Sequence, residues 1–275
     1  MWIFNFLFSK LFDFLFFPFR GLSPWYGMVF ISFLTGLFML FVFRYTSNQQ
    51  GIRKVKNRIK AHLLELRLFK DSFATSFKAQ GSILRCNLRY MSYSARPMLV
   101  MIIPLVLIII QLNLWFNYQP LSPGDKAILK VTLKEGFDPL EGSPSVEPSS
   151  GFEIETPALR IEEEREIDWR LRAKEKGIPD LIVVVDGEKC QKRIAIAQKP
   201  LSKISAVKVQ KNFLAQVLNP GEPPLPSNSP LESIQILYPT RSMNFFGWNI
   251  HWLIVYFVLA IIFGFAFKGL LKVEI

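Results

Sequence analysis

Three stretches without a charged side chain organise the chain. Residues 26–43, 98–116 and 248–267 hold eighteen, nineteen and twenty residues, about what a helix needs to cross ~30 Å of hydrocarbon. Each predicts a transmembrane helix, over 26–44, 97–117 and 248–268. Between the first two, apolar residues recur at Ile52, Val55, Ile59, Leu63, Leu66, Phe69, Phe73 and Phe77 in steps of three or four. That spacing gathers them on one helix face and suits a coiled-coil seam. A second apolar series, Ile83, Leu84, Leu88 and Met91, leads into the second span. Both ends of 48–96 must return to the same membrane face, so the segment predicts an antiparallel helical hairpin. Its turn is open between Asp71-Ser72, which offers an N-cap and equal arms, and Gly81-Ser82, which offers the stronger helix breaker.

The other segments follow different periods. In residues 1–22, Asn5, Ser9 and Asp13 recur every fourth position among Trp2, Phe4, Phe8, Leu11, Phe12 and Leu15. One narrow polar stripe on an aromatic helix predicts an amphipathic helix lying in the headgroup region, or one packed against a partner's membrane surface. No basic region precedes this apolar run and no small-residue cleavage site follows it, so it reads as a retained segment and not a signal peptide. Residues 118–247 carry short alternating or β-branched runs at 126–134, 152–161, 166–172, 181–186, 190–197, 204–209 and 233–237. Turn signals such as Asp186-Gly187 and Lys199-Pro200 separate them. This predicts an antiparallel β-sandwich-like domain, with 136–151 and 219–230 as a loop and a linker rich in Pro, Gly and Ser.

Charge sets the topology. Residues 44–96 hold twelve Lys and Arg against Glu65 and Asp71, nearly the whole of the chain's net +11. Lys and Arg in short segments beside membrane ends stay in the cytoplasm, so the hairpin is expected to be cytoplasmic. The N-terminus and the β-domain are then extracytoplasmic. Lys268 and Lys272 close the third span and place the 269–275 tail in the cytoplasm, while Trp248, Trp252 and Tyr256 mark its outer end. The expected location is a prokaryotic plasma membrane. The domain at 118–247 is balanced, with seventeen basic and eighteen acidic residues. Because the basic excess is juxtamembrane, lipid headgroups and topology explain it, and DNA is not an expected partner.

Candidate chemistry is sparse. The two histidines, His62 and His251, fall on separate segments, and no metal-ligand spacing or phosphate-binding glycine motif occurs. No metal site, cofactor or enzymatic activity is expected. Cys86 and Cys190 fall on opposite sides of the membrane in this topology and are expected not to pair. Polar residues in the spans are more informative, because intramembrane polar groups are costly and face a bundle interior or a watery cavity. These are Ser32 and Thr35 in the first span and Gln111 and Asn113 in the second, with Arg44 at the first span's end. Helix–helix hydrogen bonding explains Ser32 and Thr35 equally well, and an ordinary cytoplasmic anchor explains Arg44.

The order of parts resembles the YidC/Oxa insertase superfamily. It is closest to the three-span branch with the archaeal YidC-like proteins and the third subunit of the ER membrane protein complex. The matching stretches are LFVFRYTS (40–47), ARPMLVMIIPLVLIIIQLNLWF (95–116) and FFGWNIHWLIVYF (245–257). The resemblance implies a client groove that is hydrophilic and positively charged, formed by Arg44, Thr35, Ser32, Gln111 and Asn113. It also implies a basic hairpin, with Arg53, Lys54, Lys56, Arg58 and Lys60, that guides client membrane proteins. Membrane lipids, the ribosome and other membrane-complex subunits are the further partners. The β-domain between the second and third spans departs from that pattern and points to the alternative, a structural subunit docking partners through this domain.

Overall fold

The computed structural model describes residues 2–69, 73–141, 144–196, 199–245 and 247–274. The chain forms two compact units, one of Met1–Gly27 with Ile108–Trp252, the other of Met28–Leu107 with Leu253–Ile275. The boundaries fall inside helices α2 (Pro24–Thr46) and α4 (Phe73–Phe116) and at the start of α6 (Trp252–Phe267).

In the first unit, β1 (Lys126–Leu133), β3 (Phe152–Ile154), β4 (Leu159–Ile161), β5 (Glu166–Ala173), β8 (Val207–Val209) and β9 (Leu231–Ile236) form an antiparallel sheet. Its path is β3-β5-β1-β9-β8, with β4 also on β5. A second sheet pairs β2 (Ser145–Val146), β6 (Asp180–Val185) and β7 (Glu188–Arg193), and β10 (Ser242–Phe245) pairs with β11 (Trp248–His251). Alternation is the cause. Ala127, Leu129, Val131 and Leu133 of β1 and Ile167, Trp169, Leu171 and Ala173 of β5 are buried on one face, and the register opposes Leu129 to Trp169 and Val131 to Ile167. A one-residue slip would turn both sets outward. Leu181, Val183 and Val185 of β6 join the same hydrophobic cluster, so the two sheets share one core. The β6–β7 turn is the Asp186-Gly187 pair read from sequence. Both residues take positive φ, 51° and 82°, as a two-residue hairpin of the right twist requires.

The sequence signals missed β2, inside the expected 136–151 loop, the β10–β11 hairpin and a short helix α5 (Phe213–Leu218). The supposed linker 219–230 is anchored, with Leu225 and Ser229 buried.

Helix α1 (Trp2–Phe16) shows why Asn5, Ser9 and Asp13 share a stripe. The stripe faces the chain's own domain: Asn5 Nδ2 donates to Gln216 O at 2.9 Å, and Lys203 Nζ donates to Ser9 Oγ and to Asp13 Oδ1, the latter at 3.3 Å. Phe12 and Phe16 are buried beside it, Phe16 stacking on Trp115 and Phe116 at 4.9 and 5.5 Å. Phe6, Leu7, Leu11, Phe14 and the following Phe17 are exposed. The docked side of the helix thus carries the polar stripe together with Phe12 and Phe16, and the exposed side is apolar.

The second unit holds α3 (Gln49–Leu68), most of α2 and α4, and α6. α2 and residues 76–116 of α4 are long and apolar enough to cross a membrane. α6 is not: it has 16 residues, ~24 Å of helix, because Trp248–His251 form β11 and the helix starts four residues later than the apolar run. The expected helix start at Pro97 is also corrected. Pro97 and Pro104 lie inside an unbroken 44-residue helix. A proline there removes its own N–H and crowds the carbonyl four residues back, at a cost of ~3 kcal/mol. Flanking packing holds the helix, with Tyr90, Tyr93 and Met101 against the cluster of Leu40, Phe43, Ile52 and Val273.

Gly81 and Ser82 also lie within α4, so they make no turn. The helices break between Leu68 and Phe73; the Asp71-Ser72 cap falls outside the described residues. The seam closes only at its base, where Ile52 and Val55 are buried, whereas Leu63, Phe69, Phe73 and Phe77 toward the tip are exposed. The base is clamped by the C-terminal tail, where Glu274 N donates to Gln49 Oε1 at 2.7 Å and Lys56 pairs with Glu274 at 3.2 Å.

Two consequences can be measured on the purified chain. Lys192 has no exposed surface and pairs with Glu222, also donating to Ser205 O at 2.6 Å. Lys192→Ala leaves the buried Glu222 carboxylate without its cation and should lower unfolding free energy by about 3–5 kcal/mol, whereas Lys192→Met with Glu222→Leu should be neutral or stabilising. Glu155 sits between Lys126 and Arg172. Desolvation opposes its ionisation, but the Lys126 hydrogen bond and the Arg172 charge together outweigh it and hold the carboxyl below its usual range. A depressed carboxyl stabilises the fold above its unfolded value, and that contribution is lost as pH falls through the folded one. Denaturation from about pH 5 down to pH 3 should therefore show a steeper loss in the native chain than in Glu155→Gln.

Candidate functional site

A groove of about 810 Å³ lies in the helical unit between α2, α4 and α6. Thr35, Met39 and Phe43 face it from α2, at intervals of four residues that stack on one helix face. Met91, Met98 and Met101 face it from α4, and Tyr256, Ala260 and Gly264 from α6. The contact that sets its shape is at Gly36. A Cβ there would stand 2.8 Å from Ala260 O and 3.2 Å from Gly264 N, so α2 and α6 touch through backbone. Phe33 continues the contact, its ring 5.4 Å from both Phe263 and Phe267.

The expected polar and positively charged hollow takes a different form. Of the residues assigned to it, Thr35 lines the groove, next to the Tyr256 hydroxyl but without a complete hydrogen bond to it. Ser32 is fully buried one turn away, its hydroxyl without a hydrogen-bond partner among the described residues. Arg44 is exposed, stacked over the Tyr45 ring at 6.0 Å. Nine residues at about 100° each turn it roughly 180° from Thr35, to the opposite face of α2. Gln111 and Asn113 belong to the other unit. Gln111 is buried there, its Oε1 without a hydrogen-bond partner among the described residues, and Asn113 is half-buried. The chemistry of the groove is thus mainly apolar and sulfur-rich, with hydroxyls from Thr35, Tyr90, Ser92, Ser94 and Tyr256 in its lining and no charged side chain.

The residues that sequence reasoning missed are the methionines. Four of the chain's seven, Met39, Met91, Met98 and Met101, line this one groove. The signal was their concentration in and beside two apolar spans. Of the hairpin cations, Arg53, Lys54, Arg58 and Lys60 are exposed, and Lys56 is the one tied to the tail. Among the described residues no group of three or more His, Cys, Asp or Glu could hold a metal ion, and both cysteines are free thiols. Compared with family models, curated proteins and solved structures, the chain matches none.

Because the α2–α6 approach admits no side chain, Gly36→Val should separate the two helices and cost about 1–3 kcal/mol. A lowered melting temperature in detergent measures it, and Gly264→Ala, with open space around its Cβ, should show little change.

Proposed function

We propose that this chain is a membrane-protein insertase or assembly chaperone of the YidC/Oxa type, whose groove takes the apolar segment of a client helix. The single observation that carries the reading is the methionine-lined groove among apolar helices. Unbranched thioether side chains repack around varied shapes, and flexible methionine-rich surfaces serve promiscuous recognition. An apolar helix laid into such a groove is held by its side-chain pattern and by no fixed polar contact. Thr35 and Tyr256 offer hydroxyls to a client's stray polar group.

In this reading α2, α4 and α6 all span the membrane, with the hairpin cytoplasmic and α1 and the β-domain outside. α6, at ~24 Å, is shorter than ~30 Å of hydrocarbon, and a short span thins the bilayer around it. That lowers the barrier for a client's polar flank beside the groove. Exposed Leu63, Leu64, Leu68, Phe69, Phe73 and Phe77 toward the hairpin tip offer a first apolar contact. Arg53, Lys54, Arg58 and Lys60 steer acidic flanks and anchor the hairpin at anionic lipid. Arg44 acts as a cytoplasmic anchor and attractor on the far face of α2. Release of the client into lipid is driven by burial of its own apolar surface.

Photocrosslinkers at Met39, Met98 and Arg44 test this in membranes programmed with a stalled nascent membrane protein. Adducts are expected from Met39 and Met98 well above those from Arg44. Met98→Glu should cut client insertion by at least about tenfold, since a charge at membrane depth costs about 2.5–3.5 kcal/mol. Equal adducts from all three positions, or full insertion by Met98→Glu, would sink the proposal.

A further inference from the structure

A second cavity, of about 560 Å³, lies in the other unit. Its walls are α1, the 193–205 segment and the 216–224 segment. Five cations line it, Lys10, Arg20, Arg193, Lys199 and Lys203, against two carboxylates, Asp13 and Glu222. Both carboxylates are already engaged. Asp13 accepts from Lys203, and Glu222 pairs with buried Lys192 while its second oxygen accepts from Arg193 N at 3.3 Å. Lys10, Arg20, Arg193 and Lys199 make no ion pair among the described residues. The Arg20 guanidinium lies over the Trp115 ring at 5.4 Å, and its Nε is buried without a hydrogen-bond partner among the described residues. A buried donor with no acceptor is costly, and four cations without a carboxylate partner around one hollow attract an anion with several oxygens.

We propose that this cavity is an anion site that holds the phosphate of a lipid headgroup. The volume is in the range of small-ligand sites, and Ser9, Ser202 and Ser205 add hydroxyls to its wall. The lipid source is favoured by α1 itself. Lys10, Ser9 and Asp13 face the cavity, while Leu7, Leu11, Phe14 and Phe17 beside them expose a continuous apolar surface. A phosphate seated among Lys10, Arg193 and Lys199 leaves its acyl chains against that surface, with Phe6 at the rim. Lys and Arg gathered beside an amphipathic helix attract anionic lipid headgroups. The inference rests on the membrane setting of the proposed function and not on client handling.

The test uses the full-length chain reconstituted in vesicles of phosphatidylcholine with phosphatidylglycerol, then extracted and weighed with its retained lipid. Retained phosphatidylglycerol should exceed phosphatidylcholine on the unaltered chain. The Arg193→Glu/Lys199→Glu variant should lose that retention by about tenfold or more with an unchanged melting temperature, and the charge-matched Lys174→Glu/Lys189→Glu, at exposed positions of the same unit outside the cavity, should keep it. If inorganic phosphate displaces the lipid, the anion chemistry stands and free phosphate is the ligand. Equal retention of the two lipids by the unaltered chain, which needs no variant to fold, overturns the assignment, as does equal retention by the native and 193/199 chains. Crosslinking of clients to Met39 and Met98 in the 193/199 variant should be normal, so the two proposals fail separately.

Discussion

The helical unit depends on one backbone contact. At Gly36, α2 meets Ala260 and Gly264 of α6 with no room for a side chain. Small residues that allow such an approach are how helices associate where the surroundings are as apolar as the side chains. Drawing α2 and α6 together leaves α4 to close the third side with Met91, Met98 and Met101, and the space between becomes the groove. The same contact fixes which face of α2 looks inward, so Thr35, Met39 and Phe43 face the groove and Arg44 faces away.

In the other unit, buried charge performs the organising task. Lys192 with Glu222, Lys203 with Ser9 and Asp13, and Arg241 on the carbonyls of Tyr118 and Pro200 each tie one segment to another. Burial pulls all three cations below their usual pKa values, which is the signature of charge held out of water. Such groups are expensive unless paired, so each fixes its surroundings firmly. Lys203 keeps the polar stripe of α1 turned inward. The Lys203–Asp13 pair, the Asn5–Gln216 hydrogen bond and the buried Phe12 and Phe16 together hold α1 with its other apolar side chains exposed.

Exposed apolar surface on the helices is concentrated at the hairpin tip, on one side of α1 and on faces of α2, α4 and α6. Contiguous exposed patches of this kind mark contacts with membranes or other chains. The tip differs from the others in lying on a hairpin that carries most of the chain's net positive charge.

Period and composition alone determined much of this protein. Period-two alternation located the longer strands, because each has one buried face, and uncharged runs located α2 and the second half of α4, because length and apolarity are local properties. The spacing of Asn5, Ser9 and Asp13 defined a polar stripe. Angle along a helix is also local, and the nine-residue step from Thr35 to Arg44 already placed the two on opposite faces. What only the tertiary structure decided were partnerships between distant segments. No local signal says that the α1 stripe meets Lys203, that Lys192 meets Glu222, that β11 takes the first four residues of the last apolar run, or that α4 continues through two prolines. Those outcomes follow from which long-range contacts satisfy a buried charge or carry a helix past a missing hydrogen bond, and such contacts exist only once the chain has folded.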